Sequence, residues 1–178
     1  MKILISRVWA MPNKWTFQIK PIKELLDELV GDGELWIDPF AGMYSPAKFT
    51  NDLNPNSNAQ YHLEAVDFLN QLNGKFVGCL FDPPYSLTQV SKSYNDMGLK
   101  FKGKENPTGG FPKAKDRISE LIQVGGMVIS FGWNTIGMGK KRGFEIEEIM
   151  IVSHGGNRND TLITIENKVG TMGEGKNV

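Results

Sequence analysis

Two patterns of apolar positions alternate along the 178-residue chain, short continuous runs and stripes at helical spacing. Ile22, Leu25, Leu26, Leu29 and Val30 recur at the 3.6-residue period, with Pro21 at the start and Gly31 at the end, and predict an amphipathic helix. Residues 34–37 read as the first core strand, ending at Asp38. The runs at 48–51 and 61–64 predict a second and a third strand. Phe76-Val77-Gly78-Cys79-Leu80-Phe81 predicts the fourth, apolar on both faces as a buried parallel strand is. A short helix over 66–72 separates the last two. Helical spacing returns at 87–97 and 113–124, around a stretch, 98–112, whose glycines, prolines and lysines mark a mobile loop. After a buried fifth strand at 126–131, the runs 144–152 and 161–166 are joined by Gly155-Gly156-Asn157-Arg158-Asn159-Asp160 and predict an antiparallel hairpin. Strand and helix in alternation make the fold class α/β, with a mostly parallel sheet.

Length and composition add bounds rather than a function. One domain spanning 1–178 can bury a real core. The formal net charge is zero, so affinity for a polyanion would have to come from local basic patches. Cys79 is the sole cysteine, which excludes an internal disulfide and a cysteine-rich metal site and suits a reducing cytoplasm. His62 and His154 have no cysteine partners, so no metal is expected. The start, Lys2-Ile3-Leu4-Ile5, is too short for a signal sequence and runs into Arg7, Pro12 and Lys14. No apolar stretch approaches the roughly 20 residues that span a bilayer, so a cytoplasmic protein with no membrane partner is expected.

The candidate chemistry sits at strand ends. Asp82-Pro83-Pro84-Tyr85 follows the fourth strand, at the carboxyl edge where open α/β sheets place their ligands. An acid, two prolines and an aromatic there can hold an exocyclic amine. Upstream, Asp38-Pro39-Phe40-Ala41-Gly42 follows the first strand, Asn51-Asp52-Leu53-Asn54-Pro55 the second, and Glu64-Ala65-Val66-Asp67-Phe68-Leu69 the third. Downstream, Lys92, Lys100, Lys102, Lys104, Lys113, Lys115 and Arg117 outnumber Asp96, Glu105 and Asp116, with Tyr94, Phe101 and Phe111 interleaved. This basic stretch, 86–117, is a candidate target-recognition insert. Lys140, Lys141 and Arg142 follow the fifth strand and are expected to meet phosphates on the same rim. Trp133, at that strand's end, is a candidate wall of a base pocket.

Taken in order, these motifs resemble those of the Rossmann-like class I methyltransferases that use S-adenosylmethionine. Within that class the chain is similar to DNA amino-methyltransferases, particularly small adenine-specific enzymes of phage and prophage type. The resemblance implies that Asp38, Pro39, Phe40, Ala41 and Gly42 form the turn at the methionine part of the cofactor. It implies further that Asp52, beside Leu53, receives the ribose hydroxyls and that Asp67 receives the adenine amine of the cofactor. Asp82, Pro83, Pro84 and Tyr85 would be the catalytic residues, with Asp82 and the Pro83 carbonyl accepting the hydrogens of the adenine N-6 amine in DNA and Tyr85 stacking on a base taken out of the duplex. Asp in the first position of the tetrapeptide favours adenine; cytosine N-4, RNA, or a non-catalytic binding subunit are the alternatives. The segment 15–22, with Phe17 and Lys20, matches the part that covers the cofactor's methionine end. Two departures stand out. Neither 38–52 nor 54–61 has room for the helix of a parallel crossover, which needs about a dozen residues. One sheet face is therefore expected to be covered by residues 6–19, with Trp9, Met11, Trp15 and Phe17, or by the second subunit of a homodimer. A separate recognition domain is also missing.

Overall fold

The computed structural model describes residues 2–86, 88, 91, 94, 95, 98 and 111–170. Lys92, Lys100, Lys102 and Lys104, candidates for nucleic-acid contact, lie outside the described residues. A seven-stranded sheet runs in the order β1-β6-β7-β5-β4-β2-β3. Its strands are β1 Leu4–Trp9, β2 Trp36–Asp38, β3 Phe49–Thr50, β4 Phe76–Phe81, β5 Ile122–Gly132, β6 Phe144–Ser153 and β7 Thr161–Lys168. All neighbours are parallel except β7, which is antiparallel to both β5 and β6. The helices are α1 Lys20–Val30, α2 Ala65–Gln71 and α3 Pro112–Leu121. Within the stretch 87–97, read as helical, Thr88, Ser91, Tyr94 and Asn95 are helical.

Both faces of the middle of the sheet are covered. On one, Phe68 and Leu69 of α2 and Ile118 of α3 close over Ile37, Cys79, Phe81 and Val128. On the other, Ile22, Leu26 and Val30 of α1 join Phe17 and Ile19 over Leu80, Ile129 and Phe131. Each fully buried aliphatic contributes about 1.5–3 kcal/mol, so this stripe holds α1 in place although its intrinsic helix propensity is ordinary. The cover expected from residues 6–19 is only half realised. Phe17 packs on Phe131 with ring centroids 5.1 Å apart, whereas residues 4–9 add β1 in parallel to the outer edge of β6. Trp9 and Met11 are exposed and stand outside the core on that face.

Two sequence boundaries shift for identifiable reasons. The third strand expected at 61–64 is reduced to a single bridge between Asn51 and Tyr61. Beyond Tyr61 the backbone of Leu63 bonds to the Asn51 side chain at both its N–H and its C=O, which ends the ladder. The last turn expected of the helix over 113–124 is strand instead, because Ile122 pairs with Phe76. The register shift between Phe76 and Gly78 coincides with Gly125, whose φ of +81° a β-branched residue would resist. Among the described residues no helix is long and apolar enough to cross a membrane, and no group of three or more His, Cys, Asp or Glu side chains could hold a metal ion.

Candidate active site

The carboxyl ends of β2, β3 and β4 open onto one cleft of about 620 Å³. Asp38, the last residue of β2, is fully buried beneath it and works on the turn that follows. Its Oδ1 accepts the Phe40 N–H at 2.9 Å and its Oδ2 the Ser45 hydroxyl at 2.6 Å. Burial pushes the Asp38 carboxyl up to about 7, against the pull of the Ser45 and Phe40 hydrogen bonds and with the charges of Asp82 and Asp52 adding to the rise. The cleft wall itself is Pro39, Phe40 and Gly42. Asp38 and Ala41 do not border it, so of the residues assigned to the cofactor turn these two shape the turn from behind. Gly42 adopts φ +56°, and a Cβ there would meet nothing within 4 Å, so the backbone lies bare toward the cleft. The Gly42 N–H donates to Asp52 Oδ2 at 2.8 Å, and Asp52 Oδ1 accepts the Asn54 N–H at 2.8 Å. Two carboxyl oxygens have room for more than these two bonds, and Asp52 borders the cleft.

Asn51 ties these loops together, a role its place in the Asn-Asp-Leu-Asn-Pro run does not announce. Buried after β3, it donates from Nδ2 to the carbonyls of Pro39 (3.1 Å) and Leu63 (3.0 Å) and accepts the Leu63 N–H at Oδ1 (2.9 Å). The third acid is not where the sequence places it. Asp67 lies exposed in the first turn of α2, away from the cleft. Glu64, the residue that caps α2, borders the cleft instead and accepts the Tyr94 hydroxyl at 2.6 Å. The helix begins at Ala65, so Asp67 is turned outward by its position in the first turn.

Asp82, Pro83, Pro84 and Tyr85 all line the same cleft, directly after β4. The Tyr85 hydroxyl donates to Asp82 Oδ1. Burial pushes the Asp82 carboxyl up to about 6, opposed by hydrogen bonds from Tyr85 and Thr16. The Tyr85 phenol is itself held well above its usual range, by burial first and by the Asp82 charge second. Its ring packs at 51° on Trp133, with centroids 5.6 Å apart. Lys14, Trp15 and Thr16 supply a further wall. Lys14 Nζ sits 4.7 Å from the centre of the Trp15 ring, and Trp15 meets Tyr44 edge-on at 5.7 Å. Phe17 and Lys20, the residues proposed from that segment, are respectively core and exposed helix surface. Phe111 completes the floor, packed on Phe40 at 5.3 Å, and holds a left-handed φ of +54°. For a bulky residue that conformation costs about 1–2 kcal/mol, which its buried contacts offset.

The basic candidates divide sharply. Lys115 is buried and donates to the Gly137 carbonyl at 2.7 Å. Arg117 donates to the Leu69 and Leu72 carbonyls at the end of α2 (3.3 and 2.9 Å). Arg142 donates to Asp116 Oδ1 (2.7 Å) and to the Met138 carbonyl (3.0 Å). These cations are engaged inside the fold. Lys140 and Lys141 are also off the expected rim. Residues 133–143 cross from the carboxyl end of β5 to the start of β6, and Phe144 pairs with Lys168 at the opposite end of the sheet. Lys113, in the first turn of α3, stays exposed near the cleft.

No family model and no curated protein matches the chain. Solved structures do. TrmN of Thermus thermophilus is similar with a TM-score of 0.54 at 14% identity, over 85% of this chain and 49% of that one. An rRNA methylase from Streptococcus thermophilus gives 0.52 at 13%, over 83% and 93%. The 1,6-didemethyltoxoflavin-N1-methyltransferase of Burkholderia thailandensis, bound to 1,6-didemethyltoxoflavin and S-adenosylhomocysteine, gives 0.54 at 12%, over 85% and 78%. The fold is that of the Rossmann-like methyltransferases. This chain spans about half the length of the Thermus protein. On a methyltransferase fold a cleft at the carboxyl edge is expected, and what distinguishes this one is the set of side chains in it.

Proposed function

We propose that the protein is an S-adenosylmethionine-dependent methyltransferase that modifies the exocyclic N-6 amine of adenine in DNA. The observation that carries this reading is the meeting, in one cleft, of Asp82-Pro83-Pro84-Tyr85 with the bare Gly42 turn and Asp52. The cleft volume of about 620 Å³ is in the range that holds a small organic ligand. Gly42 and Asp52 fit the methionine and ribose ends of the cofactor, and Glu64 takes over the part the sequence suggested for Asp67. The bound cofactor supplies an electrophilic methyl group. Asp82 and the Pro83 carbonyl accept the two amine hydrogens, which turns the nitrogen lone pair out of conjugation and toward that group. Asp82, poised near 6, then receives the proton that the methylated nitrogen sheds. Tyr85 orients the acid through its hydroxyl and offers its ring to the cleft. Phosphate contacts come from Lys92, Lys100, Lys102, Lys104 and Lys113 of the insert at 86–117, within a single domain. The exposed apolar run of Ile3 and the first residues of β1, Leu4 and Ile5, at 41%, 60% and 63% exposure, supports a homodimer; a monomeric mass by light scattering at micromolar concentration would count against it.

RNA is the second acceptor, favoured by the likeness to an rRNA methylase over 93% of that chain. Incubation with methyl-labelled S-adenosylmethionine and mixed DNA and RNA, followed by mass spectrometry of the nucleosides, decides between them. Labelled N6-methyladenine in DNA is the expected product, and label confined to RNA supports the second reading. Activity retained by Asp82→Ala overturns the mechanism.

A further inference from the structure

Beyond the cleft, the carboxyl-end edge of the sheet continues through β5, β7, β6 and β1. Along it stand large apolar side chains that folding has left in water. Trp133, directly after β5, is 45% exposed, and Trp9, the last residue of β1, is 63% exposed. Between them rises the tip that joins β6 to β7, whose residues 155–159 are all exposed and include Arg158. The ridge is continuous with the cleft at one end, where Trp133 packs on Tyr85. At the other, the Trp9 indole lies against the tip, since a Cβ on Gly155 would sit 3.4 Å from its Nε1.

A ridge of this kind would ordinarily be loose, and this one is anchored from below. His154 is buried and links the Ala10 carbonyl (2.9 Å) to the Thr161 hydroxyl (2.9 Å), which ties the end of β1 to both strands of the hairpin. The Ser153 hydroxyl accepts from Arg7 Nε at 2.9 Å and donates to Asp160 at 3.1 Å. The loop that begins at Trp133 is held farther along, toward the opposite edge of the sheet, where Glu166 accepts the N–H groups of Met138 (2.5 Å) and Gly139 (2.9 Å). Indoles beside an anchored edge and about half in water suit a planar apolar partner. Asp160, the one acid among residues 154–160, accepts the Ser153 hydroxyl and is half-buried at the base of the tip, whereas Arg158 is exposed at its crest.

We propose that this ridge docks an unpaired nucleic-acid strand flanking the base in the cleft, with bases stacked on Trp133 and Trp9 and a phosphate on Arg158. The inference rests on the nucleobase reading of the cleft. From β5 to β1 is three strand spacings, about 14 Å, or about four nucleotides at the 3.4 Å rise of a stacked strand. Stacking rather than charge would dominate, in keeping with a chain of zero net charge.

The test is fluorescence anisotropy with a 5′-labelled 12-nucleotide oligodeoxyadenylate and its ribose counterpart, titrated with the full chain without cofactor, beside methyl transfer to the same oligomers. Trp9→Ala and Trp133→Ala are each expected to weaken binding about 5- to 150-fold, with Trp9→Phe retaining most of the affinity. Arg158→Glu is expected to weaken binding and to lower the slope of log affinity against log salt by about 0.7. Melting temperature and light-scattering mass should not change. Wild-type affinity in both Trp9→Ala and Arg158→Glu overturns the proposal, as does failure of the wild type to bind either oligomer. A change of mass in Trp9→Ala also overturns it, by assigning the ridge to a protein interface. Strand binding that depends on the ridge without methyl transfer to any nucleic acid would sink the reading of the cleft alone; methyl transfer with ridge variants that bind normally would sink the ridge alone.

Discussion

Replacing Tyr85 by phenylalanine isolates one hydroxyl. The ring stays against Trp133, while the donor to Asp82 Oδ1 is lost. A hydrogen bond to an ionised group is worth about 1.5–3 kcal/mol, and 1.36 kcal/mol corresponds to one pH unit, so the acid should become harder to ionise by about one to two pH units. The acid limb of the kcat/KM profile, which reports the free enzyme, should therefore move from about 6 in the wild type to about 7–8 in the variant. At pH 6 the variant is then expected to be about 5- to 50-fold slower, because the wild type is half ionised there and the variant about one-tenth to one-hundredth. By pH 9 both carboxyls are charged and the rates converge. Initial rates across pH 5–9 at subsaturating acceptor measure this. An acid limb that stays near 6, or a loss of the same size at every pH, refutes the assignment of the Tyr85 hydroxyl to the ionisation of Asp82.

Asn51→Ala strands the Pro39 and Leu63 carbonyls and the Leu63 N–H, with an expected loss of about 3–5 kcal/mol in urea denaturation; a loss under about 1 kcal/mol would show that Asn51 does not hold the loops. Gly137→Ala sets a Cβ 2.2 Å from Glu166 Oε2 at φ +55°, and Glu166 cannot withdraw without freeing two N–H groups. An expected loss of about 2–4 kcal/mol should appear as a lowered melting temperature. Asp38 has a folded pKa of about 7 against an ordinary 3.8, so the folded state binds the extra proton between these values. Its contribution to stability is full below about 4 and is lost as pH rises through about 7. Urea stability of the wild type should fall from pH 5 to 8 more steeply than that of Asp38→Asn; equal slopes would remove Asp38 as the cause.

Local chemistry made much of this fold legible. The stripe of α1, the apolar run of β4 and the glycine tip of the hairpin lie where periodicity and turn residues place them. The misplaced elements depend on partners that no local window contains. β1 is amphipathic to no clear period and becomes a strand by pairing with β6, some 140 residues later. Ile122 leaves its helix because Phe76 is beside it. The site divides in the same way. Asp82 to Tyr85 and Gly42 follow strands, so their edge was readable, and both reach the cleft. Asp38 and Asp67 were also close to strand or helix ends, but which way a side chain turns depends on Ser45, Phe40 and the start of α2. Lys115, Arg117 and Arg142 read as part of a nucleic-acid-facing basic rim because composition does not show that their hydrogen-bond partners are main-chain carbonyls and Asp116. Lys140 and Lys141 were assigned to the wrong end of the sheet for want of the crossover's direction.

Asn51 explains how the sheet works without the two crossover helices that its loops are too short to form. A helix packed on a sheet face normally braces the turn before it from outside. Here one residue does so from within the sheet. The Asn51 backbone donates to Asp38 and accepts from Ala41, while its side chain reaches Pro39 and both polar groups of Leu63. Three loop ends that belong to β2, β3 and the Tyr61 bridge are thereby held at fixed spacing by one amide, without a helix in either connecting loop. The arrangement concentrates rigidity at a single buried point. It follows that the cofactor end of the cleft depends on Asn51 more than on helix packing, whereas the Asp82 end rests on β4 and the doubly covered core. Loss of Asn51 should therefore weaken S-adenosylmethionine binding well before the mid-sheet strands open. Hydrogen exchange of Asn51→Ala is expected to show early exposure at 39–42 and 61–63 with protection of β4 unchanged; simultaneous loss at both places would mean that the two ends of the cleft form one cooperative unit.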